Sequence, residues 1–289
     1  MTVMATLSRC CGRRTGRWLG MCVLLLIAAL TVYYRAFPRQ TLRDRLQQEM
    51  TQAGLVEIRL EPPTLLFPPG LYFPRADLLI SESPRRELPL RQLRVVPLWL
   101  SLAGDRPGLR FRAELHGGTL TGNLRRNGET LVKAKGIPVR EVLGAESGPI
   151  LQGTMSSGHF EGRLPLDLPG ERQLELTLEQ IQLAGLEAYG VAEGRLDLGR
   201  LHLRVEGQGA TLNVRELSLQ GGALEGRGQG TLLLGPSLAA TRLNLTLELR
   251  PGDTLDPNLR ELLDLLGSGT ADGGRSLRLS GSLRQPALR

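Results

Sequence analysis

Leucine alternates with polar residues along several segments of this chain, and this alternation constrains the fold more than any other feature. In the clearest segment, 243–249, leucine occupies every second position while Asn, Thr and Glu fill the positions between. Segments 109–115 and 174–178 follow the same rule. A period of two places the leucines on one side of a β-strand and the polar residues on the other. The sequence therefore predicts antiparallel strands with one apolar and one wet face.

The alternation changes phase at two places. Leu178 is followed by Ile181, and Leu198 by Leu201, with Gly199 at the second change. A change of phase predicts a β-bulge or a tight turn, and glycine tolerates the backbone angles that a bulge requires.

Glycine recurs in a second pattern, Gly-x-[Leu/Phe]-x-Gly, at positions 118–122, 158–162 and 222–226. The pairs Gly117–Gly118 and Gly221–Gly222 each stand between two alternating segments, which predicts a hairpin at each pair. The glycines of segment 226–231 lack the spacing of a phosphate-binding loop, and no helical pattern follows them. The glycines are therefore interpreted as turn and strand residues.

One helix is well marked near the C-terminus. Asp256 is a suitable N-cap, Pro257 suits the first turn, and leucines follow with helical spacing at positions 259, 262, 263 and 266. This helix is expected to pack on the sheet. A weaker helical turn is expected from Pro138 to Leu143.

The N-terminal region predicts a membrane anchor. Residues 18–34 carry no charge and are almost wholly apolar, and the sequence offers no good cleavage site after them. The predicted organisation is a basic cytoplasmic tail at 1–17, a transmembrane signal-anchor at 18–35, an amphipathic stalk helix at 36–54 and a β-rich periplasmic domain at 55–289. The residues assigned to the anchor are Trp18, Leu24, Leu25, Leu26, Tyr33 and Tyr34.

Charge and cysteine content exclude several classes of function. Residues 1–45 hold eight arginines and one acid, which accounts for the whole formal charge of +7, and the rest of the chain has 28 basic and 28 acidic residues. This balance argues against binding to nucleic acid. The three cysteines, at positions 10, 11 and 22, leave none for chemistry in the β-rich region. The histidines, His116, His159 and His202, have no Cys, Asp or Glu at ligand spacing, so no metal site is predicted. No hydrolase or metalloprotease motif is present and no pair of carboxylates stands out, so no cofactor or catalytic residue is predicted.

Segment 60–81 concentrates five prolines just after the stalk, together with Phe67, Tyr72 and Phe73. Two interpretations stand for it. It is either an apolar edge or groove, or an irregular first pair of strands whose prolines protect an exposed sheet edge, and the second is favoured.

The stretches FPPGLYFPRADLLIS, LRFRAELHGGTLTGNL and LSLQGGALEGRGQGTLLL, with DPNLRELLDLL and the final LRLSGSLRQPALR, resemble the type II secretion system protein N family. The similarity spans about residues 18–289 and is one of pattern and order. It implies an anchored periplasmic accessory, in the inner membrane of a bacterium, of the machine that exports folded proteins. It supplies no catalytic residue. The hairpin style is also similar to AsmA-like proteins and periplasmic lipid-transport scaffolds.

The expected fold is mainly β: an N-terminal transmembrane helix and then an elongated, twisted antiparallel sheet, either curled as in AsmA-like proteins or folded as a sandwich. Two functions stay open, and a third, a periplasmic enzyme, is disfavoured because no convergent set of polar residues is present. In the first, the protein is a non-catalytic assembly component whose strand edges pair with other inner-membrane secretion components. In the second, it is a lipid-binding or lipid-transport module with Leu243, Leu245, Leu247 and Leu249 lining an apolar groove.

Overall fold

The structure is a computed structural model that describes residues 57–66, 70–80, 86–102, 106–142, 148–164, 170–187, 190–191, 194–235, 240–266, 268–269, 273–282 and 286–288. The strands are β1 (Glu57–Leu60), β2 (Thr64–Leu66), β3 (Gly70–Ile80), β4 (Arg86–Pro97), β5 (Gly108–Leu115), β6 (Gly118–Arg125), β7 (Glu129–Lys135), β8 (Ile137–Val142), β9 (Ile150–Arg163), β10 (Glu171–Ala184), β11 (Arg195–Gln208), β12 (Thr211–Gln220), β13 (Leu224–Leu233), β14 (Arg242–Pro251), β15 (Ser268–Gly269), β16 (Arg275–Ser282) and β17 (Pro286–Leu288). The helices are α1 (Trp99–Leu102) and α2 (Pro257–Leu266).

The predicted tail 1–17, anchor 18–35 and stalk 36–54 lie outside the described residues, and so do the anchor residues Trp18, Leu24, Leu25, Leu26, Tyr33 and Tyr34. Within the part that the structure describes, neither helix has the length and apolar character needed to cross a bilayer.

The strands form an antiparallel meander in which each long strand pairs with its neighbours in sequence. Pairing runs without interruption from β3 to β7, continues through β9 to β14, and passes through β16 to the last strand, β17. All described strands belong to one curled, unclosed sheet. The prediction of a mainly β chain is confirmed, and of its two architectures the curled sheet is the one observed, not the sandwich.

The predicted bulge lies between β10 and β11. The register shifts between Leu178 and Ile181, where Ile181 pairs with Gly199. Gln180 and Gly199 have φ angles of 55° and 70°, the left-handed region that an extended strand avoids. Both changes of phase in the leucine pattern therefore arise from one irregularity shared by two strands, as a bulge requires.

Both predicted hairpins are confirmed. His116 and Gly117, with φ angles of 49° and 88°, form the two-residue turn between β5 and β6, and Gly118 is the first residue of β6. Positive φ at both central residues is the signature of the type I′ turn that matches strand twist. Gly221 and Gly222 stand in the connection between β12 and β13.

The helical turn expected from Pro138 to Leu143 is wrong, because β8 occupies Ile137–Val142. β8 continues the line of β7, and both pair with the same long strand, β9. Gly136, with a φ angle of 68°, separates the two. Pro138 does not start a helix here, because the segment forms six residue pairs with β9 and is stabilised as a strand.

Helix α2 begins as predicted. The Asp256 carboxylate accepts a hydrogen bond of 2.9 Å from the Asn258 amide, which caps the first turn. Leu259 packs against a cluster that closes one end of the sheet, formed by Leu186, Val191, Leu196, Ala223 and Leu255. Leu263 is buried, whereas Leu262 is exposed. The expected packing of a short C-terminal helix on the sheet is confirmed.

The first edge of the sheet is short and broken. β1 and β2 both pair with β3, and Pro62 and Pro63 stand between them. Pro74 of β3 lies opposite this break, where its missing N–H removes little from the ladder. This agrees with the interpretation of the segment as a proline-protected edge.

Candidate functional site

One row of directly paired residues crosses twelve strands, and it is entirely apolar. Its members share one face of the sheet and are joined pair by pair through the ladder. In order they are Leu71, Val95, Phe111, Gly122, Val132, Phe160, Leu174, Val205, Val214, Gly230, Leu245 and Leu279. Neighbouring strands lie about 4.8 Å apart, so this row extends over roughly 53 Å of sheet. We call the side of the sheet that carries it the apolar face.

The apolar face is only partly buried. Val205 and Val214 are 1% and 4% exposed and form a small core with Leu212. The other eight side chains of the row are half-buried. Since every described strand belongs to the same sheet, no second sheet covers this face within the described residues. A long strip of aliphatic surface is therefore partly accessible from one side.

The predicted groove residues lie on this face. Leu243, Leu245, Leu247 and Leu249 all belong to β14, and their side chains alternate with the exposed Asn244, Thr246 and Glu248. Leu243 is buried, whereas the other three leucines are half-buried. The structure thus brings the four together, with three of them accessible.

Glycines on β13 make room for these leucines. Gly226, Gly228 and Gly230 pair with Leu249, Leu247 and Leu245. A Cβ at Gly226 or Gly228 would lie 2.7 Å from Leu249 Cδ2 or 2.6 Å from Leu247 Cδ2, so each leucine lies across the neighbouring glycine. Leu245 in turn packs against the Val205–Leu212–Val214 core. These glycines form a flat strip of backbone beneath the leucines and do not surround a phosphate.

The opposite side of the sheet, which we call the polar face, has the reverse composition. The directly paired row next to the apolar one contains Tyr72, Arg94, Arg112, Thr121, Lys133, His159, Glu175, Arg204 and Glu216. The Arg94 guanidinium lies 5.8 Å from the centre of the Tyr72 ring. These two neighbouring rows therefore differ completely in chemistry over the same strands, although the apolar face also buries the polar side chains of Thr130 and Arg172.

The histidines lie apart from one another, in ordinary polar surroundings. His116 is in the turn after β5. His159 Nε2 lies 3.8 Å from a Glu161 oxygen, and His202 lies 3.3 Å from Thr177 Oγ1 through Nδ1. Among the described residues, no three side chains of His, Cys, Asp or Glu come close enough to hold a metal ion.

Ion pairing perturbs two surface groups of the described chain. The hydrogen bond from Arg125 to Glu129, 2.8 Å long, is the main reason that the pKa of the Glu129 carboxyl is lowered. The hydrogen bond from Arg75 to Asp77, 3.0 Å long, raises the pKa of Arg75. Asp77 and Arg75 form a surface pair, and Glu129 contacts both Arg125 and Arg106 at the surface, arrangements that are common at structural positions.

Sequence alternation identified the leucine side of the candidate site, but not the role of the glycines. Gly226, Gly228 and Gly230 also repeat with a period of two, which indicates a single face of one strand. This spacing could have identified the three glycines as one face of a strand, and the pairing with β14 then places large side chains opposite them. The exposed pair Leu109 and Leu124 was not anticipated, because the two leucines are far apart in sequence and only the hairpin pairing brings them together.

Comparisons of the chain with family models, with curated proteins and with solved structures found no match.

Proposed function

We propose that this protein is a non-catalytic binding module that shelters the acyl chains of lipid along its apolar face. The observation that carries the proposal is the unbroken apolar row, of which eight side chains are half-buried. Exposed aliphatic surface of this extent is costly in water and marks an interaction surface.

An extended acyl chain is a good match for this surface. It is long and uniformly apolar, and it needs no hydrogen-bond partners, which suits a strip of leucine, valine and phenylalanine with glycines between them. A polypeptide segment would bring backbone N–H and C=O groups that require partners. The backbone groups of the ladder already pair with neighbouring strands.

The setting that we propose is the one expected from the sequence. The chain is held by one N-terminal helix in a bacterial inner membrane, with the sheet in the periplasm and an AsmA-like arrangement of the curled sheet. This setting keeps the protein at a membrane, which is a source of lipid. Its support is the uncharged segment 18–34 and the arginines that precede it.

A second candidate is an assembly role in the type II secretion system, with inner-membrane secretion components as partners. Its support is the resemblance of residues 18–289 to the type II secretion system protein N family. That resemblance implies a strand-rich chain, and the described elements are mostly strands. The terminal strands offer little for strand addition: β1, β2 and β17 have four, three and three residues, and prolines interrupt the first edge. Strand β8 is a longer edge, because its six residues pair with β9 alone among the described strands.

Site-specific photocrosslinking of the full chain in bacterial cells tests the proposal. A photoreactive residue at Leu247 reports on the apolar face, and the same residue at Thr246 is the matched control on the polar face of the same strand. We expect phospholipid attached at position 247 and much less at position 246. Equal labelling at the two positions, or attachment of protein alone at position 247, would contradict lipid binding, and protein attachment would favour the assembly role.

A further inference from the structure

Three exposed apolar side chains lie on α1, β5 and β6, at the end of the strands opposite the cluster that Leu186 and Leu255 belong to. Trp99 of α1 is 47% exposed, and Leu109 and Leu124 are 43% and 40% exposed. Leu109 and Leu124 are directly paired across β5 and β6. Together with Arg106, Arg125 and Arg126 we call these residues the Trp99 tip.

The Trp99 tip is held in place by backbone contacts. The Leu98 amide donates to the Gly108 carbonyl at 2.9 Å, and the Gly108 amide donates to Ser101 Oγ at 3.0 Å, which fixes α1 against the start of β5. The Arg126 amide donates to the Pro107 carbonyl at 2.9 Å, which joins the turn after β6 to the same place. The exposed side chains thus project from an ordered base.

The Trp99 tip also carries positive charge from three exposed arginines. The side chains of Arg106 and Arg125 are 66% and 48% exposed, and Arg126 is also exposed. The described acid among them is Glu129, which lies 2.8 Å from Arg125 and 3.7 Å from Arg106. Sequence positions 99–129 hold five arginines and three acids, so the segment stays basic when Asp105, outside the described residues, is counted.

An exposed tryptophan with aliphatic neighbours and arginines around it matches the chemistry of a membrane surface. The indole ring prefers the boundary between headgroups and acyl chains, the leucines insert below it, and arginine binds phosphate. We propose that the Trp99 tip docks on a bilayer surface containing anionic phospholipid. This inference goes beyond the proposed function, because a docking tip acts whether or not the apolar face holds acyl chains.

The docking tip can be tested with one intrinsic probe. The chain has two tryptophans, so Trp18→Phe leaves Trp99 as the single reporter in the full chain. This variant is placed in vesicles of phosphatidylcholine alone or mixed with phosphatidylglycerol, with or without brominated acyl chains. We expect brominated lipid to quench Trp99 strongly in the mixed vesicles and weakly in the neutral ones.

Charge variants identify the cause of docking. An arginine near an anionic surface contributes about fivefold to binding, so changing both Arg125 and Arg126 to Gln lowers the docked fraction relative to the undocked one by more than about tenfold. The matched control carries the same two charge changes at Arg215 and Arg227, on β12 and β13 far from the tip. Circular dichroism checks that each variant keeps its strand content.

Three results would overturn the inference. The first is a Trp99 that stays open to aqueous iodide and unquenched by brominated lipid in the mixed vesicles. The second is an equal loss of quenching in the control variant. The third is a Trp99 shielded from iodide without quenching by lipid, which would mean that protein covers the tip. Crosslinking at Leu247 is independent of all three, so failure of the docking tip and failure of acyl-chain binding are distinguishable.

Discussion

Leu247 on β14 lies across Gly228 on β13, so close that a Cβ on the glycine would be 2.6 Å from Leu247 Cδ2. The pair shows why glycine occurs inside a strand that it would otherwise weaken. The missing side chain lets a large neighbour lie flat on the apolar face. Phe111 and Gly122 repeat this relationship on the same face, on β5 and β6 in the N-terminal half of the sheet.

Replacing Gly228 with valine is expected to destabilise the fold by about 1–3 kcal/mol, because Leu247 must leave its position to admit the new side chain. The matched control is Gln229→Val on the same strand, where the side chain is exposed on the polar face. Urea denaturation of the full chain in detergent, followed by circular dichroism, measures both. A Gly228→Val protein as stable as its control would show that the glycine is not needed for packing.

The sequence was sufficient to predict the strands, the hairpins, the bulge and the capped helix, since each depends on local periodicity or on a residue with special backbone freedom. Gly199, Gly117 and Asp256 are examples. The curled, unclosed shape of the sheet and the half-burial of Leu245 and Leu247 could not be predicted in this way. Both depend on how many strands join one sheet, and the alternation within a single strand carries no information about that number. Strand β8 was misassigned for the same reason, because its pairing with β9 is not local.

The bulge between β10 and β11 predicts opposite effects of two substitutions. Gly199 has a φ angle of 70°, and a Cβ there would meet the backbone of Gln220 and Gly222, so Gly199→Ala is expected to cost about 1–3 kcal/mol. Gln180 has a φ angle of 55° with an exposed side chain, so Gln180→Gly removes strain and is expected to stabilise by up to about 1 kcal/mol. Denaturation midpoints of the two variants should move in opposite directions. A shift of both midpoints in the same direction would contradict a shared bulge.

Two leucines of β14 are expected to differ in their roles. Leu243 is 6% exposed, so Leu243→Ala should cost about 2–4 kcal/mol of stability. Leu247 is half-buried, and its truncation to alanine should cost only about 1–2 kcal/mol.

The same two variants separate packing from lipid binding. If acyl chains cover Leu247, added phospholipid should raise the denaturation midpoint of the Leu243→Ala protein as much as that of the wild type, and that of the Leu247→Ala protein less. An equal response of both variants would argue that lipid does not contact Leu247.

The Glu129 carboxyl predicts a pH dependence with a definite sign. Its pKa is lowered in the folded chain by the hydrogen bond from Arg125, followed by that from Asn127. A lowered folded-state pKa means that the unfolded chain binds the proton more readily, so the stabilisation is present above the ordinary carboxyl pKa and is lost as the pH falls through the lowered one. The wild type should therefore be more stable than Glu129→Gln at pH 7, and the difference should vanish in acid. Because the pair is partly exposed, the difference should also shrink with added salt. Urea midpoints of both proteins along a series from pH 7 down to pH 2, at low and high salt, measure this. A difference that stays constant over the whole series would mean that the glutamine substitution acts through packing at the turn after β6, and not through the loss of the carboxylate charge.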